Sequence, residues 1–582
     1  MEIKRTKRER YETLRSELEA ERQSFIGHWR DLADYILPRR PRFLLSETNR
    51  GERKNQKIID STATLACRTL RSGLMSGITS PARPWFRLTI GDAGISETAS
   101  VKLWLSTVTD RMVAVFLRSN LYNTLPVIYG DLGTFGTAAM MVDEDFTGDV
   151  IRTYPFPIGS YMISNDDLGR VRTFVRDFRM TVRQIVDKFG EKSESGKLKF
   201  DNLSDKVRNA YENDKLETWI DVCHVITKNP DYKENAIESK YKRYFSCYYE
   251  RSSSGGTDLN RGPDEGKFLR ESGYDYFPVL CPRWEVSDGD IYGTDCPGMT
   301  AIGDVKQLQL GEKRSMQAIE KMINPPMVGP TSLRNVKTTI LPADITFVDE
   351  RDGQKGFRPA HEVNFRVMEL EQKQDQVRSR IRRAFYEDLF LMLANIDRRQ
   401  ITAREIDERH EEKLLALGPV LEQLNQDLLD PLIDITFEVM LKQGLVPEPP
   451  QEIQGGKIDV EYISIMSQAQ KLTGIGGMER FVGMVGQIVQ STQNPALLDK
   501  VDQDQFIDVY GDLLSVPPGV IRPDDDVAVI REDRARAQQA QALADKARNI
   551  TGAAKDLSET DITKDSALRE ILAQANAGNL VQ

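Results

Sequence analysis

Between residues 283 and 390 the apolar positions change period twice, and the change outlines an excursion out from the main body and back. After a stretch punctuated by Gly and Pro, Met299, Ile302, Val305, Leu308, Met316, Ile319 and Ile323 recur mostly at three- and four-residue steps, as on a helix with one apolar face. Asn324-Pro325-Pro326 stops that helix, because neither proline donates a backbone N–H and each turns its predecessor away from helical geometry. A β-branched, turn-rich stretch follows, MVGPTSLRNVKTTILPADITFVDERDGQKGFRP. The spacing then predicts a second helix over 362–390, with Val377, Ile381, Phe385 and Leu389 on one face. Two helices of roughly 25 residues are each about 40 Å long at a rise of about 1.5 Å per residue. A small mixed module at their tips therefore stands well away from the rest, a shape that makes sense if copies stand side by side.

The same reading predicts a helix over 5–37, with Leu14, Leu18, Phe25, Trp29, Leu32 and Ile36 aligned, ending at Pro38. A basic linker leads to a second helix near 56–79, seamed by Ile59, Ala63, Ala66, Leu70, Leu74 and Ile78. ARPWFRLTI reads as a strand, 97–119 and 123–136 as helices, and AAMMVDED, VIRTYPFPIGSYMIS and RVRTFVRDFRM as strands. Residues 181–215 read as helical, and 217–228 and 240–250 as further strands, completing an α+β domain. Thr402 and Glu405 form a capping box opening a long helix that runs to Gly444, with Pro419 and Pro431 breaking its hydrogen-bond ladder. IDVEYISI reads as a strand returning to the first domain, and a polar, alanine-rich helix is expected over about 527–549.

At 582 residues a single core is implausible, and several sub-domains are expected. A charged fraction of 29% and an apolar fraction of 40% describe an ordinary folded chain. A net charge of −10 argues against coating nucleic acid by bulk attraction, though not against local basic patches. The N-terminus MEIKRTKRER leads into a charged helix rather than an apolar signal core, and no stretch reads as a membrane span; the nearest, 120–142, holds Asp131 and glycines. Cys67, Cys223, Cys247, Cys281 and Cys296 are odd in number and scattered, which points to free thiols in a reducing compartment.

Catalytic chemistry finds little support. His28, His224, His361 and His410 lie at no ligand spacing from one another or from a cysteine, so each reads as structural and no metal or cofactor is expected. Neither a Walker loop nor a G-x-S-x-G elbow occurs. The glycines of GIGGMERFVGMVG (474–486) lack a preceding strand and read as helix-packing residues. Acidic clusters at 143–145, 166–167 and 524–526 would suit a nuclease metal site, but they sit among turn residues where carboxylates are expected anyway. KRTKRER and the 38–57 linker read as a solvated helix end and a subunit-facing segment. Helical spacing spreads Arg378, Arg380, Arg382 and Arg383 around their helix, where carboxylates of a neighbouring chain such as Asp304 or Glu320 are the expected partners.

The segments LRSGLMSGITSPARPWFRL (70–88), YGDLGTFGTAAMMVDED (129–145), YPFPIGSYMIS (154–164), PRWEVSDGDIYGTDCPGMTAIGDVKQL (282–308) and NPPMVG (324–329), in this order around the helix–insert–helix excursion, carry a resemblance. Over about residues 1–465 the chain resembles the head-to-tail connector, or portal, proteins of short-tailed double-stranded-DNA phages. The resemblance implies an α+β, mainly helical subunit. Its parts would be a wing (1–290), a first stem helix (291–323), a clip (324–361), a second stem helix (362–388) and a tunnel loop (389–402). A kinked helix with a returning wing strand (403–465), a crown (466–525) and a C-terminal helical barrel or flexible tail (526–582) would follow. It further implies a ring of about twelve copies at one capsid vertex, assembled in the host cytoplasm. Double-stranded DNA would pass through without sequence reading, with terminase, a tail adaptor, and the major capsid and scaffolding proteins as partners. At −10 per chain, such a ring carries roughly −120, which keeps the passage from trapping DNA.

Within that frame Asn395, Arg398, Arg399 and Gln400 would face DNA, with intersubunit salt bridges as the competing role for the two arginines. Arg334, Lys337, Asp349, Arg351, Asp352 and Lys355 would dock motor and tail, and Lys306, Lys313, Arg378, Arg382 and Arg383 would lie between subunits. The other readings are a DNA-packaging enzyme, which would need a Walker loop or a carboxylate cluster, and a helical scaffold that forms no ring.

Overall fold

The computed structural model describes residues 7–43, 51–90, 98–192, 198–251, 268–328, 358–359, 366–396, 417–453, 458–463, 481–488, 501–513 and 524–558, with a few isolated positions besides and 53, 147, 235 and 288 left out. The chain divides into two units, one of Met1–Gly91 with Leu103–Asp502 and the other of Asp92–Lys102 with Gln503–Gln582.

The first unit opens with α1 (Lys7–Tyr35) and α2 (Thr62–Gly77), then β1 (Phe86–Ile90). Next come α3 (Ala99–Arg118), whose first residues belong to the second unit, and α4 (Leu121–Phe135). The strands β2 (Ala139–Asp145) and β5 (Val171–Thr181) fall where alternation placed them, while the stretch 150–164 divides at a Pro157–Ser160 turn into β3 (Val150–Phe156) and β4 (Tyr161–Asn165). Residues 181–215 depart from the helical reading. They form α5 (Val182–Phe189), a hairpin of β6 (Glu191–Lys192) and β7 (Leu198–Lys199), and α6 (Asp205–Glu212). Each helix has its own start signal: the Thr181 hydroxyl accepts from the Gln184 N–H in a capping box, and Ser204 accepts from the Val207 N–H. The strands β8 (Trp219–Lys228), β9 (Tyr244–Glu250), β10 (Arg270–Tyr274) and β11 (Val279–Leu280) follow.

An antiparallel sheet in the order β10-β9-β8-β5-β4 forms the centre, beside a three-stranded sheet β11-β2-β3. Tyr11 and Leu18 of α1 bury against Met162, Val175, Cys223, Val225, Phe245, Cys247 and Tyr249. On the other face Ile185, Val186 and Phe189 of α5 and Val207 of α6 pack on Met180, Ile220, Val222 and Leu269. Side chains alternate across a strand, so neighbouring residues such as Val222 and Cys223 serve opposite layers. All five cysteines are buried free thiols.

Beyond the sheets come α7 (Pro297–Ile323), β12 (Met327–Val328), β13 (Arg358–Pro359), α8 (Val367–Ala384) and α9 (Glu387–Ile396). The helix expected over 362–390 is thus two helices. Between them Tyr386 takes a left-handed φ of 54°, which ends the α8 ladder. Residues 397–416, including the Thr402–Glu405 capping box, lie outside the described residues. Helix resumes as α10 (Gly418–Leu424), passes through a π turn at Asn425–Leu429 and continues as α11 (Asp430–Lys442). Pro431 lacks the N–H that an unbroken ladder would require, and the widened turn stands immediately before it. Gly444, at φ 69°, lies just past the helix end and supplies the left-handed residue of a C-terminal cap. β14 (Ile458–Tyr462) returns to pair antiparallel with β1, Val460 opposite Leu88, as the pattern predicted. A short helix covers 481–488.

In the second unit, α12 (Gln503–Leu513) and α13 (Asp524–Ser558) are joined by an ion pair, Arg531 to Asp504 at 2.7 Å. The α13 helix runs longer at both ends than the 527–549 expected. Among the described residues no helix is long and apolar enough to cross a membrane.

Candidate channel and docking elements

The α7–α8 hairpin is built from residues that bury only near its root. Ala301, Val305 and Leu308 of α7 and Val377 and Ile381 of α8 are buried, as is Leu389 beyond the elbow. Further out the expected α7 seam is uncovered, with Met316 61% exposed and Ile323 79%, and Met368 near the start of α8 is 77% exposed. One apolar stripe therefore has two fates, core at the root and bare surface at the far end.

Polar contacts clamp the root. Gln309 is buried and accepts from the Ile59 and Asp60 N–H groups at 2.6 and 2.9 Å, while its own amide donates to the Asp60 carbonyl at 2.7 Å. Arg378 donates to Asp60 at 2.9 Å and to Glu312 at 2.5 Å, and Gln374 donates to Ser315 at 2.9 Å. Burial alone would raise the Asp60 carboxyl, but bonds from Thr62 and Arg378 hold it below the usual carboxylate range. Hydrogen bonding to Asp60 and Asp375 correspondingly raises Arg378. Sequence reading missed this clamp, since Arg378 and Asp60 are 318 positions apart and neither lies in a motif. Ile59, expected in the α2 seam, precedes that helix and is 45% exposed, because its backbone serves Gln309 instead.

The stem residues expected between subunits separate into two groups. Arg378, Arg380 and Lys306 find carboxylates inside their own chain: Asp60 and Glu312, Asp304 at 2.8 Å, and Asp31 at 2.6 Å. Arg380 does meet the Asp304 named as its partner, but within one chain, because α7 and α8 lie antiparallel and adjacent. Arg382 lies 3.7 Å from Glu387, also in its own chain, and stays exposed like Lys313 and Arg383.

At the hairpin tip, Met327 pairs with Pro359 and Val328 with Arg358, a short antiparallel clasp across the insert. Arg334, Lys337, Asp349, Arg351, Asp352 and Lys355 lie outside the described residues, as do Arg398, Arg399, Gln400, His361 and His410. Asn395 is placed near the end of α9. That helix is seated by Phe390, which is buried over Gly73 of α2; a Cβ on Gly73 would fall 2.1 Å from the Phe390 ring.

The acidic clusters do structural work where they are described. Glu144 accepts from Tyr276 and lies 3.5 Å from Lys442, and Asp166 accepts from the Leu168 and Arg170 N–H groups of its own turn. His224 is buried and stacked on Tyr248, while His28 is exposed. Among the described residues no group of three or more His, Cys, Asp or Glu gathers at metal-binding distance.

Comparison with known proteins places the chain in a family. Residues 8–521 match the family described as bacteriophage head to tail connecting protein. A portal protein of Salmonella phage epsilon15 is 48% identical over 573 residues, covering 98% of this chain and 99% of that one. A probable portal protein of Bordetella phage BPP-1 is 41% identical over 555 residues, covering 95% and 96%. With the match spanning the sheets, the α7–α8 hairpin and β14 alike, the chain belongs to the bacteriophage head-to-tail connecting protein family and has the function of a viral portal.

Proposed function

We propose that about twelve copies of this chain close into a ring at one capsid vertex. The α7–α8 hairpins stand side by side as the stem, and the 1–290 domain spreads outward as the wing. Double-stranded DNA enters and leaves through the hole, with residues 389–402 nearest the axis and 466–525 facing the capsid interior as the crown. The 324–361 clip receives the terminase during packaging and the tail adaptor afterwards. The chain's role is structural, and the motor's chemistry belongs to its partner. Arg398 and Arg399 are our candidates for contact with phosphate, and Lys313, Arg382 and Arg383 for contact with the next subunit.

The observation that carries this reading is the bare apolar end of the hairpin. Exposed Met, Ile and Leu side chains on one elongated element favour burial at about 25 cal/mol per Å² of apolar area, and a neighbouring hairpin of the same kind supplies the matching surface. Electron microscopy of the purified protein tests it directly: closed rings are expected. A double substitution Met316→Asp, Ile323→Asp should prevent closure while leaving the wing's β-sheet signal intact. A monomer at high concentration, or rings unaffected by the two aspartates, overturns the reading.

A further inference from the structure

We propose that the five-stranded sheet carries an oxyanion-binding site, in which Arg176, Lys188 and Arg270 receive one phosphate or carboxylate group beside the stacked rings of His224 and Tyr248. Strand register builds the site. Tyr161 on β4 pairs with Arg176 on β5, Arg176 with His224 on β8, His224 with Tyr248 on β9, and Tyr248 with Arg270 on β10. Directly paired residues project from the same face, so these five side chains form one row across the sheet, on the face opposite α1. The His224 ring stacks on Tyr248 with centroids 3.8 Å apart and planes 7° from parallel, and its Nε2 lies 2.9 Å from the Ser246 hydroxyl. Lys188, reaching over from α5, holds its ammonium 4.9 Å from the Tyr248 ring centre.

Arg176 is the anomaly that asks for a ligand. Other arginines buried in this domain each meet an oxygen: Arg8 the Glu250 carbonyl, Arg15 the Asp177 carboxylate, Arg22 the Gly159 carbonyl and Arg283 the Asp427 carboxylate. Arg176 instead lies between two phenyl rings, 4.5 Å from Phe156 and 4.4 Å from Phe178; its buried Nε has no acceptor, as is true of Arg22 Nε, but among the described residues no other nitrogen of its guanidinium is hydrogen-bonded either. None of Arg176, Lys188 and Arg270 forms an ion pair among the described residues. The acid whose charge acts on Lys188 is Asp143 on β2, which Lys188 and Arg270 act on in turn and whose carboxyl burial pushes upward. Burial drives Arg176 down to about 10 and lowers Lys188 as well. Aromatic faces offset part of that cost, but a guanidinium is satisfied by the paired oxygens of a carboxylate or phosphate. Lys188 and Arg270 are exposed, so an anion meets these two from solvent.

The probes are inorganic phosphate and acetate, each titrated against chloride at constant ionic strength. Two signals are read in the full-length protein: the thermal unfolding midpoint, and the pH at which the His224 ring protonates by NMR. A saturable rise in midpoint is expected with phosphate or acetate, the tighter of the two identifying the natural group. The apparent Kd should rise about tenfold or more in Lys188→Gln and in Arg270→Gln, both surface changes that leave the core intact. The effect should vanish in Arg176→Gln. Anion binding should also raise the protonation pH of His224: burial first, then Arg176 and Lys188, hold its proton off, and the anion neutralises the two cations. Phosphate and acetate acting no better than chloride, or gains unchanged in Lys188→Gln and Arg270→Gln, would overturn the assignment.

Discussion

Single residues in the wing differ widely in what they contribute, and exposure decides which matter. The Arg15 and Asp177 side chains are each only 5% exposed and are joined by bonds of 3.0 and 2.8 Å, with Arg251 adding a third contact at 3.1 Å. Burial alone would lower Arg15, yet the bonds and charge of Asp177 raise it well above its ordinary value. Asp177→Ala leaves that buried guanidinium only the exposed Glu19 carboxylate at 2.9 Å and is expected to cost about 3–5 kcal/mol in urea unfolding. Glu217→Ala removes the equally short but exposed partner of Arg183 and should cost less than about 1 kcal/mol. His224 gives the pH test. Burial first, then Arg176 and Lys188, hold it well below 6.5, so the folded protein keeps it neutral while the unfolded chain protonates. Stability from this group therefore falls as pH drops below about 6.5, by up to about 1.4 kcal/mol per pH unit. Asp131 acts oppositely, since burial lifts it to about 6 against the pull of Arg40, and the fold takes up its proton first. Comparing wild type with His224→Gln between pH 6.5 and 5 separates the two: the variant should lose the His224 slope. An unchanged slope would place the acid sensitivity elsewhere.

At the scale of elements, the elbow between α8 and α9 shows both what the sequence makes legible and where it stops. Val377, Ile381, Phe385 and Leu389 were read as one helical face, and all four are buried. Their spacing continues through Tyr386 without a break, so periodicity alone cannot reveal that the backbone turns there. The stop is tertiary: Phe390 needs the space over Gly73, Tyr386 lies 6.3 Å from Trp284, and the left-handed φ of Tyr386 joins the two placements. By contrast the returning strand was legible because β14 must cover the apolar side of β1, and the pattern shows that need locally. The 181–215 misreading has a local cause as well. Its two capping residues and intervening glycines were present in the sequence, and the apolar spacing outweighed them. Gly73→Ala should force Phe390 out of place and destabilise by about 1–3 kcal/mol. Adding Phe390→Leu should recover part of that loss, which a double-mutant cycle in thermal unfolding would register. Independent, additive losses would mean the contact does not hold the elbow.

At the scale of the whole chain, the insert at the hairpin tip is separable from what holds the rest together. Its two strands meet through the Met327–Pro359 and Val328–Arg358 pairs, and the hairpin is fastened at the opposite end by Gln309, Arg378 and Asp60. The described core of the 1–290 domain is built by other elements: the sheet packs on α1, α5 and α6, and β1 pairs with β14. Closing a shorter loop between β12 and β13 costs little, since loop entropy changes only slowly with length. Deleting 330–355 should therefore leave the wing's unfolding midpoint and ring formation close to wild type, while binding of terminase and tail adaptor is lost. Arg398→Ala with Arg399→Ala should do the reverse, keeping both partners bound while DNA packaging or retention falls. The two variants are informative together because each controls for the other. A deletion that still binds the motor would move docking off the clip, and a double alanine variant with unchanged phage yield would move the DNA contact off residues 389–402.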